Sequence, residues 1–261
     1  MDKFVIIGNR NLAGEIEVRG SKNAAGPVLA ATLLTDEDCI IDNLPLIEDI
    51  NIFIEILKDI GAKIEFLSER KIKINARDID PTKLDFAKFS KTRLSVVFIG
   101  PLLARFEKFR FPAPGGDRIG LRPISVHINA LKKLGARIEK EGDFYSVLRN
   151  GLFGKEIVLE EFSPTATEVL MLAAVLAEGK TVIKGAASEL SVKDTGDMLL
   201  KMGANIKGHG THFIEIEGVE KLNGCEHSVE SDHLEAGTFI VAGALTPGKV
   251  VVKNINFNYL D

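Results

Sequence analysis

One phrase recurs three times and restricts the chain to a repeated α/β architecture. It reads Leu57-Lys58-Asp59-Ile60-Gly61-Ala62-Lys63-Ile64, then Leu131-Lys132-Lys133-Leu134-Gly135-Ala136-Arg137-Ile138, then Leu200-Lys201-Met202-Gly203-Ala204-Asn205-Ile206. Each copy predicts a helix ending on a left-handed glycine and passing at once into a strand, since glycine alone lacks the Cβ that resists this turn. The strands continue as alternations such as Lys71-Ile72-Lys73-Ile74-Asn75 and Phe213-Ile214-Glu215-Ile216-Glu217, the pattern of a sheet with one buried face. Upstream lies a second recurring element, an alanine-rich apolar helix leading into a strand. It spans Ala24 to Leu34, Ala166 to Ala177 and Ala236 to Leu245, and is less clean between Arg93 and Arg110. The predicted unit is strand–helix–strand–helix–strand–strand, roughly 70 residues long, with boundaries near residues 21, 78, 150 and 229. A fourth unit has its first helix and strand when the sequence reaches Asp261, and the expectation is a C-terminally incomplete chain.

Composition removes several functions. With 33 basic and 37 acidic residues the net charge is −4, unlike the basic surface of a nucleic-acid binder. No apolar run is long enough to span a bilayer, and the opening Met1-Asp2-Lys3-Phe4-Val5-Ile6-Ile7-Gly8 is too short for a signal peptide. Cys39 and Cys225 are the only cysteines, which fits a reducing compartment, and a cytoplasmic location is expected. The five histidines have no metal-ligand spacing, no phosphate-binding glycine motif or Ser-His-Asp pattern is present, and neither metal nor cofactor is expected.

Four places carry chemistry. At Gly20-Ser21-Lys22-Asn23-Ala24-Ala25 a strand meets a helix, Ser21 can cap it, and Lys22 adds a cation where the dipole already favours an anion. Pro114-Gly115-Gly116-Asp117-Arg118-Ile119-Gly120-Leu121-Arg122-Pro123 is a glycine-rich loop able to close over a ligand. In Phe162-Ser163-Pro164-Thr165, Ser163 as cap and Pro164 at the first helical position mark another amide-rich helix start. Arg93, within an apolar run, needs an anionic partner if buried. Taken singly, a capped helix or a surface turn explains each of these as well as a site does.

In order and spacing these segments, with Gly100-Pro101-Leu102-Leu103-Ala104-Arg105 and Ala236-Gly237-Thr238-Phe239, resemble the UDP-N-acetylglucosamine enolpyruvyl transferase family from Phe4 to Asp261. The resemblance implies an inside-out α/β barrel of three units per domain. Residues 22–229 would be one complete domain with a mobile lid at 112–123, and residues 1–21 with 230–261 part of a second. It implies transfer of the enolpyruvyl group of phosphoenolpyruvate to the 3′-hydroxyl of UDP-N-acetylglucosamine with release of phosphate, a step of peptidoglycan synthesis. Lys22, Arg93 and Arg122 would clamp phosphoenolpyruvate, and Asn23 would orient the sugar. Arg122, Pro123, Ile124, Ser125 and Val126, with Ser163, Pro164 and Thr165, would hold the uridine diphosphate. Asp117 would be the catalytic acid where most members have cysteine, so fosfomycin, which alkylates that cysteine, is expected not to inhibit. Glu161 and His233 replace basic residues, and Ser125 an aspartate that contacts uridine. The family's general base would lie beyond Asp261, in further units of this polypeptide or on a separate chain. Two other readings stay open: a non-catalytic UDP-sugar-binding half-enzyme, and 5-enolpyruvylshikimate-3-phosphate synthase, against which Asn23 and the long lid argue.

Overall fold

The computed structural model describes residues 3–8, 10–116, 120 and 122–259. Strand β1 (Leu12–Glu17) is followed by α1 (Lys22–Ala31), β2 (Asp38–Asp42), α2 (Glu48–Asp59) and the hairpin β3 (Lys63–Ser68) and β4 (Lys71–Asn75). After a one-turn α3 (Phe86–Phe89), a 3₁₀ segment (Arg93–Phe98) runs into α4 (Ile99–Arg105), then β5 (Lys108–Pro112), α5 (Ser125–Leu134), β6 (Ala136–Glu141) and β7 (Phe144–Arg149). The third unit comprises β8 (Glu156–Val158), α6 (Pro164–Ala174), β9 (Lys180–Lys184), α7 (Leu190–Lys201), β10 (Asn205–Lys207) and β11 (Phe213–Glu217). The chain continues through β12 (Glu226–Ser228), α8 (His233–Leu245) and β13 (Gly248–Lys253).

The repeat is realised with a linkage between units that local patterns do not reveal. Each unit's hairpin pairs antiparallel with the strand that follows that unit's first helix, and the segment leading out of one hairpin packs on such a strand in the next unit. Strand β8 lies parallel to β9, β12 lies parallel to β2, and the Pro81–Lys83 turn packs on β5. The tail of the third unit therefore returns to the first, and the three units close head to tail. Their sheets remain separate, and among the described residues no continuous hydrogen-bonded barrel forms. The irregular first helix of the second unit has a local cause. Pro101 has no N–H for the Val97 carbonyl, and the residues before α4 wind as 3₁₀.

The apolar helices lie inside and the sheets outside. Every residue from Ala24 to Ala31, from Ile99 to Ala104 and from Ala166 to Ala174 is buried, as expected of helices apolar on all sides. Helix α6 packs on both α1 and α4. Such close approach needs missing side chains: a Cβ on Gly26 would meet Leu94 Cγ at 2.5 Å, and one on Gly100 would meet the Val169 carbonyl oxygen at 2.5 Å.

The predicted caps hold. Gly61, Gly135 and Gly203 have φ of 106°, 127° and 97°. After α2 and α7 the bonds Ala62 N to Leu57 O and Ala204 N to Leu199 O, both 2.9 Å, complete the reversal. Ser21 departs from expectation. Its side chain makes no capping bond, and its backbone N–H donates to the Glu230 carbonyl at 2.8 Å, tying the start of α1 to the segment before α8. Strands β1 and β13 pair in parallel, and α8 packs on β13. Although α8 is as apolar as α1, only its Ala236 is buried, and Leu234, Ile240, Val241 and Leu245 are exposed.

Candidate active site

The starts of α1, α6, α7 and α8 converge with the 3₁₀ segment and the residues preceding α5. They line two adjoining clefts of about 570 and 460 Å³ that share Asn23, Arg93, Leu94, Arg122 and Thr165. Lys22 opens on the smaller cleft, and Pro123, Ser163 and Pro164 on the larger. Sequence positions as far apart as Ser21 and Leu234 are thus gathered around the larger cleft. Helix α6 starts as expected, with Ser163 Oγ accepting from Ala166 N at 3.3 Å and Pro164 at the first position.

The cations that line the clefts are of two kinds. Arg93 donates from Nη2 to the Pro123 carbonyl at 3.2 Å, which holds its guanidinium beside the Arg122 segment. Burial, and then the like charge of Arg122, pull Arg93 below the usual guanidinium value. Among the described residues neither arginine has a carboxylate within ion-pair distance. Two cations held together without a counter-ion repel, and an anion between them removes that repulsion. Lys22 differs: its Nζ lies 2.9 Å from Asp49 Oδ2. Burial of Asp49 opposes its charge, yet hydrogen bonds from Lys22 and Thr92 hold its carboxyl below the ordinary value. The cation at the start of α1 therefore has its compensating anion within the protein.

The segment assigned to the diphosphate is split. Arg122 and Pro123 line the clefts, but the side chains of Ile124 and Val126 are buried in the core. Ser125 is exposed and opens, with Ile128 and Lys132, on a separate hollow of about 440 Å³. None of these three residues lines the two main clefts. Glu161 and His233, the two departures from basic residues, both line the larger cleft. Asp117 lies outside the described residues.

The structure adds two titratable groups that sequence reasoning missed. His127 is 2% exposed, its Nε2 lies 2.8 Å from Thr165 Oγ1, and its buried Nδ1 has no partner. Burial, and then the charge of Arg93, push its pKa down to about 3, so the ring is neutral. Glu168 is 1% exposed on the wall of the larger cleft, and its Oε1 is unpartnered. Burial pushes its pKa up to about 8, against the effect of a Ser191 hydrogen bond. A glutamate within an alanine-rich apolar helix was the available signal, because a buried carboxyl must be neutral or paired.

Glu168 yields a sign-defined prediction. Its pKa rises on folding from 4.5 to about 8, so the native state binds the extra proton. The associated stability is present below pH 4.5 and is lost as pH rises through 8. Wild-type protein is expected to lose roughly 2–5 kcal/mol across that window relative to Glu168→Gln. Urea unfolding of both proteins at pH 5, 6.5 and 8.5 checks this. Parallel pH profiles would mean that the carboxyl is ionised or solvated in the native state.

A family model described as EPSP synthase (3-phosphoshikimate 1-carboxyvinyltransferase) matches residues 6–261. The chain belongs to this enolpyruvyl transferase family. It is 42% identical over 264 residues to UDP-N-acetylglucosamine 1-carboxyvinyltransferase 1 of Carboxydothermus hydrogenoformans, covering 100% of this chain and 62% of that protein. It is 40% identical over 262 residues to the UDP-N-acetylglucosamine 1-carboxyvinyltransferase of Actinobacillus succinogenes, with 100% and 62% covered. The chain thus spans about three-fifths of the length of these relatives. Among solved structures, the enolpyruvyl transferase NikO from Streptomyces tendae superposes with a TM-score of 0.81 at 19% identity, over 93% of this chain and 58% of that one. An EPSP synthase from Acinetobacter baumannii gives 0.75 at 23%, over 96% and 57%. These two likenesses establish the fold, an α/β architecture of repeated units. Among the described residues no helix is long and apolar enough to cross a membrane.

Proposed function

We propose that the chain forms one wall of the site at which enolpyruvyl is transferred from phosphoenolpyruvate to the 3′-hydroxyl of UDP-N-acetylglucosamine, in peptidoglycan synthesis. The observation that carries the reading is the Arg93–Arg122 pair, which lacks an ion-pair partner among the described residues and faces a hollow shared with Asn23 and Thr165. Identity of 40–42% to UDP-N-acetylglucosamine transferases, against 19–24% to the other enolpyruvyl transferases compared, favours the UDP-sugar over shikimate 3-phosphate as acceptor.

In this reading Lys22, Arg93 and Arg122 surround phosphoenolpyruvate and stabilise charge on its phosphate as the carbon–oxygen bond breaks. Asn23 orients the sugar. The start of α6 at Ser163, Pro164 and Thr165 holds diphosphate oxygens with the backbone following Arg122. Asp117, on a lid spanning residues 112–123, delivers the proton that the methylene carbon gains as the hydroxyl adds to the neighbouring carbon. A carboxyl with an ordinary pKa near 3.9 must be desolvated by lid closure to act as an acid at neutral pH. The base that takes the sugar hydroxyl proton is assigned to the portion of the relatives beyond this chain's match, whether on the same polypeptide or a second one. Residues 22–229 form the complete domain, and residues 1–21 with 230–261 belong to its neighbour. The two free cysteines fit a cytoplasmic setting.

The decisive experiment titrates the protein calorimetrically with UDP-N-acetylglucosamine and with shikimate 3-phosphate, each with and without phosphoenolpyruvate, and follows phosphate release. Heat and release that depend on UDP-N-acetylglucosamine support the reading. Dependence on shikimate 3-phosphate overturns it, and UDP-sugar binding without turnover leaves this chain with the binding half of the role. The acid has its own test. Fosfomycin is expected to leave wild-type protein unlabelled, while Asp117→Cys should gain a covalent adduct by intact mass. An adduct on wild-type Asp117 would refute the expected insensitivity.

A further inference from the structure

The seam that closes the three units contains both cysteines. Cys39 lies in β2, and Cys225 immediately precedes β12. These strands are parallel, with Glu226 opposite Ile40, and Ile40 N donates to the Cys225 carbonyl at 2.8 Å. Stepping the register back by one residue sets Cys225 opposite Cys39. Parallel neighbours lie about 4.8 Å apart, within the roughly 4.4–6.8 Å Cα separation that a disulfide spans. Further contacts hold this end of the seam: Thr35 Oγ1 donates to the Leu222 carbonyl at 2.8 Å, and Gly224 N donates to Glu37 Oε2 at 2.9 Å.

The two thiols are chemically unequal. Cys39 is fully buried and Cys225 partly exposed. Hydrogen bonding between them, and then burial, hold the Cys39 thiol protonated. The same hydrogen bond lowers the Cys225 pKa; burial opposes the shift, and the nearby Lys201 charge adds to it. Lys201 is itself placed by its 3.2 Å contact with His227 Nδ1, and His227 Nε2 lies 2.9 Å from buried Asp194 Oδ1. A partly exposed thiol with a lowered pKa, beside a buried thiol whose pKa is raised, has the layout of an attacking and a resolving cysteine.

We propose that Cys39 and Cys225 are an oxidant-responsive dithiol, a modification site for small hydroperoxides at which an intramolecular disulfide clips the third unit to the first. The Cys225 sulfur attacks the peroxide, forming S–O and breaking O–O, and the departing hydroxide is protonated to water. The Cys39 sulfur then attacks that of Cys225, forming S–S and breaking S–O, and a second water leaves with the Cys39 proton. Two thiols lose two electrons, and one hydrogen peroxide becomes two waters. The bridge spans nearly all three units, so it restricts the unfolded chain strongly.

The test treats the reduced chain with stoichiometric hydrogen peroxide. The expected product is a monomer lighter by two hydrogens, with the peptides of Cys39 and Cys225 joined and both thiols closed to iodoacetamide. Its Tm should rise by roughly 5–15 °C, and dithiothreitol should reverse both changes. In Cys39→Ala, the same treatment should leave a sulfenic acid on Cys225 that dimedone traps, with no cross-link. Two unmodified thiols, disulfide-linked dimers as the main product, or over-oxidised Cys225 beside an intact Cys39 thiol would each overturn the proposal.

Discussion

Arg93→Met is expected to weaken phosphoenolpyruvate binding by roughly 30–1000-fold, measured calorimetrically with UDP-N-acetylglucosamine present, because it removes a charge-assisted contact to the substrate anion. The same substitution should leave folding stability unchanged or raise it by up to about 1 kcal/mol. In the free protein Arg93 is half-buried, faces Arg122 and among the described residues finds one long hydrogen-bond acceptor, the Pro123 carbonyl. Removing it relieves desolvation and like-charge repulsion at the loss of that bond. Arg122→Met should weaken binding comparably, and the double variant by less than the summed effects if both arginines hold one phosphate. Unchanged affinity with a lower urea midpoint would instead make Arg93 a structural residue and sink the proposed clamp.

Gly100→Ala is expected to destabilise the fold by about 3 kcal/mol or more, the largest effect of a single added methyl in the inner helix layer. The new Cβ would lie 2.5 Å from the Val169 carbonyl oxygen and 2.9 Å from Leu172 Cβ. Both belong to the body of α6, so relief requires α4 and α6 to separate along their contact. Gly26→Ala, whose Cβ has three Leu94 side-chain atoms as its nearest neighbours at 2.5–2.7 Å, should lose less, because a leucine can change rotamer. Denaturant midpoints order the two variants. An equal or reversed order would mean that the helix pair shifts freely and that the inner layer is not tightly packed.

What could be read from the residues follows from the range of the forces involved. Helix ends at Gly61, Gly135 and Gly203, the cap at Ser163 and the apolar inner helices are set by backbone sterics and hydrophobic period within a few residues. The gathering of Lys22, Asn23, Arg93, Arg122, Ser163, Pro164 and Thr165 was legible through the family resemblance, since their spacings alone fit ordinary caps and turns as well. His127 was not legible, and Glu168 only as a carboxyl out of place in an apolar helix: burial on the cleft wall holds the one ring neutral and raises the pKa of the other group. Ser21 looked like a side-chain cap locally, but its backbone is held by Glu230, some two hundred residues away. The burial of Ile124 and Val126 likewise depends on what packs beneath α5.

The order of units, their caps and their apolar faces thus reside in local sequence, where one residue's conformational preference suffices. The closure of β12 on β2, the pairing of Cys39 with Cys225 and the meeting of Arg93 with Arg122 depend on three units docking around helices thin enough at Gly26 and Gly100 to touch. Those contacts are non-local, and their energy exists only once the whole ring is packed.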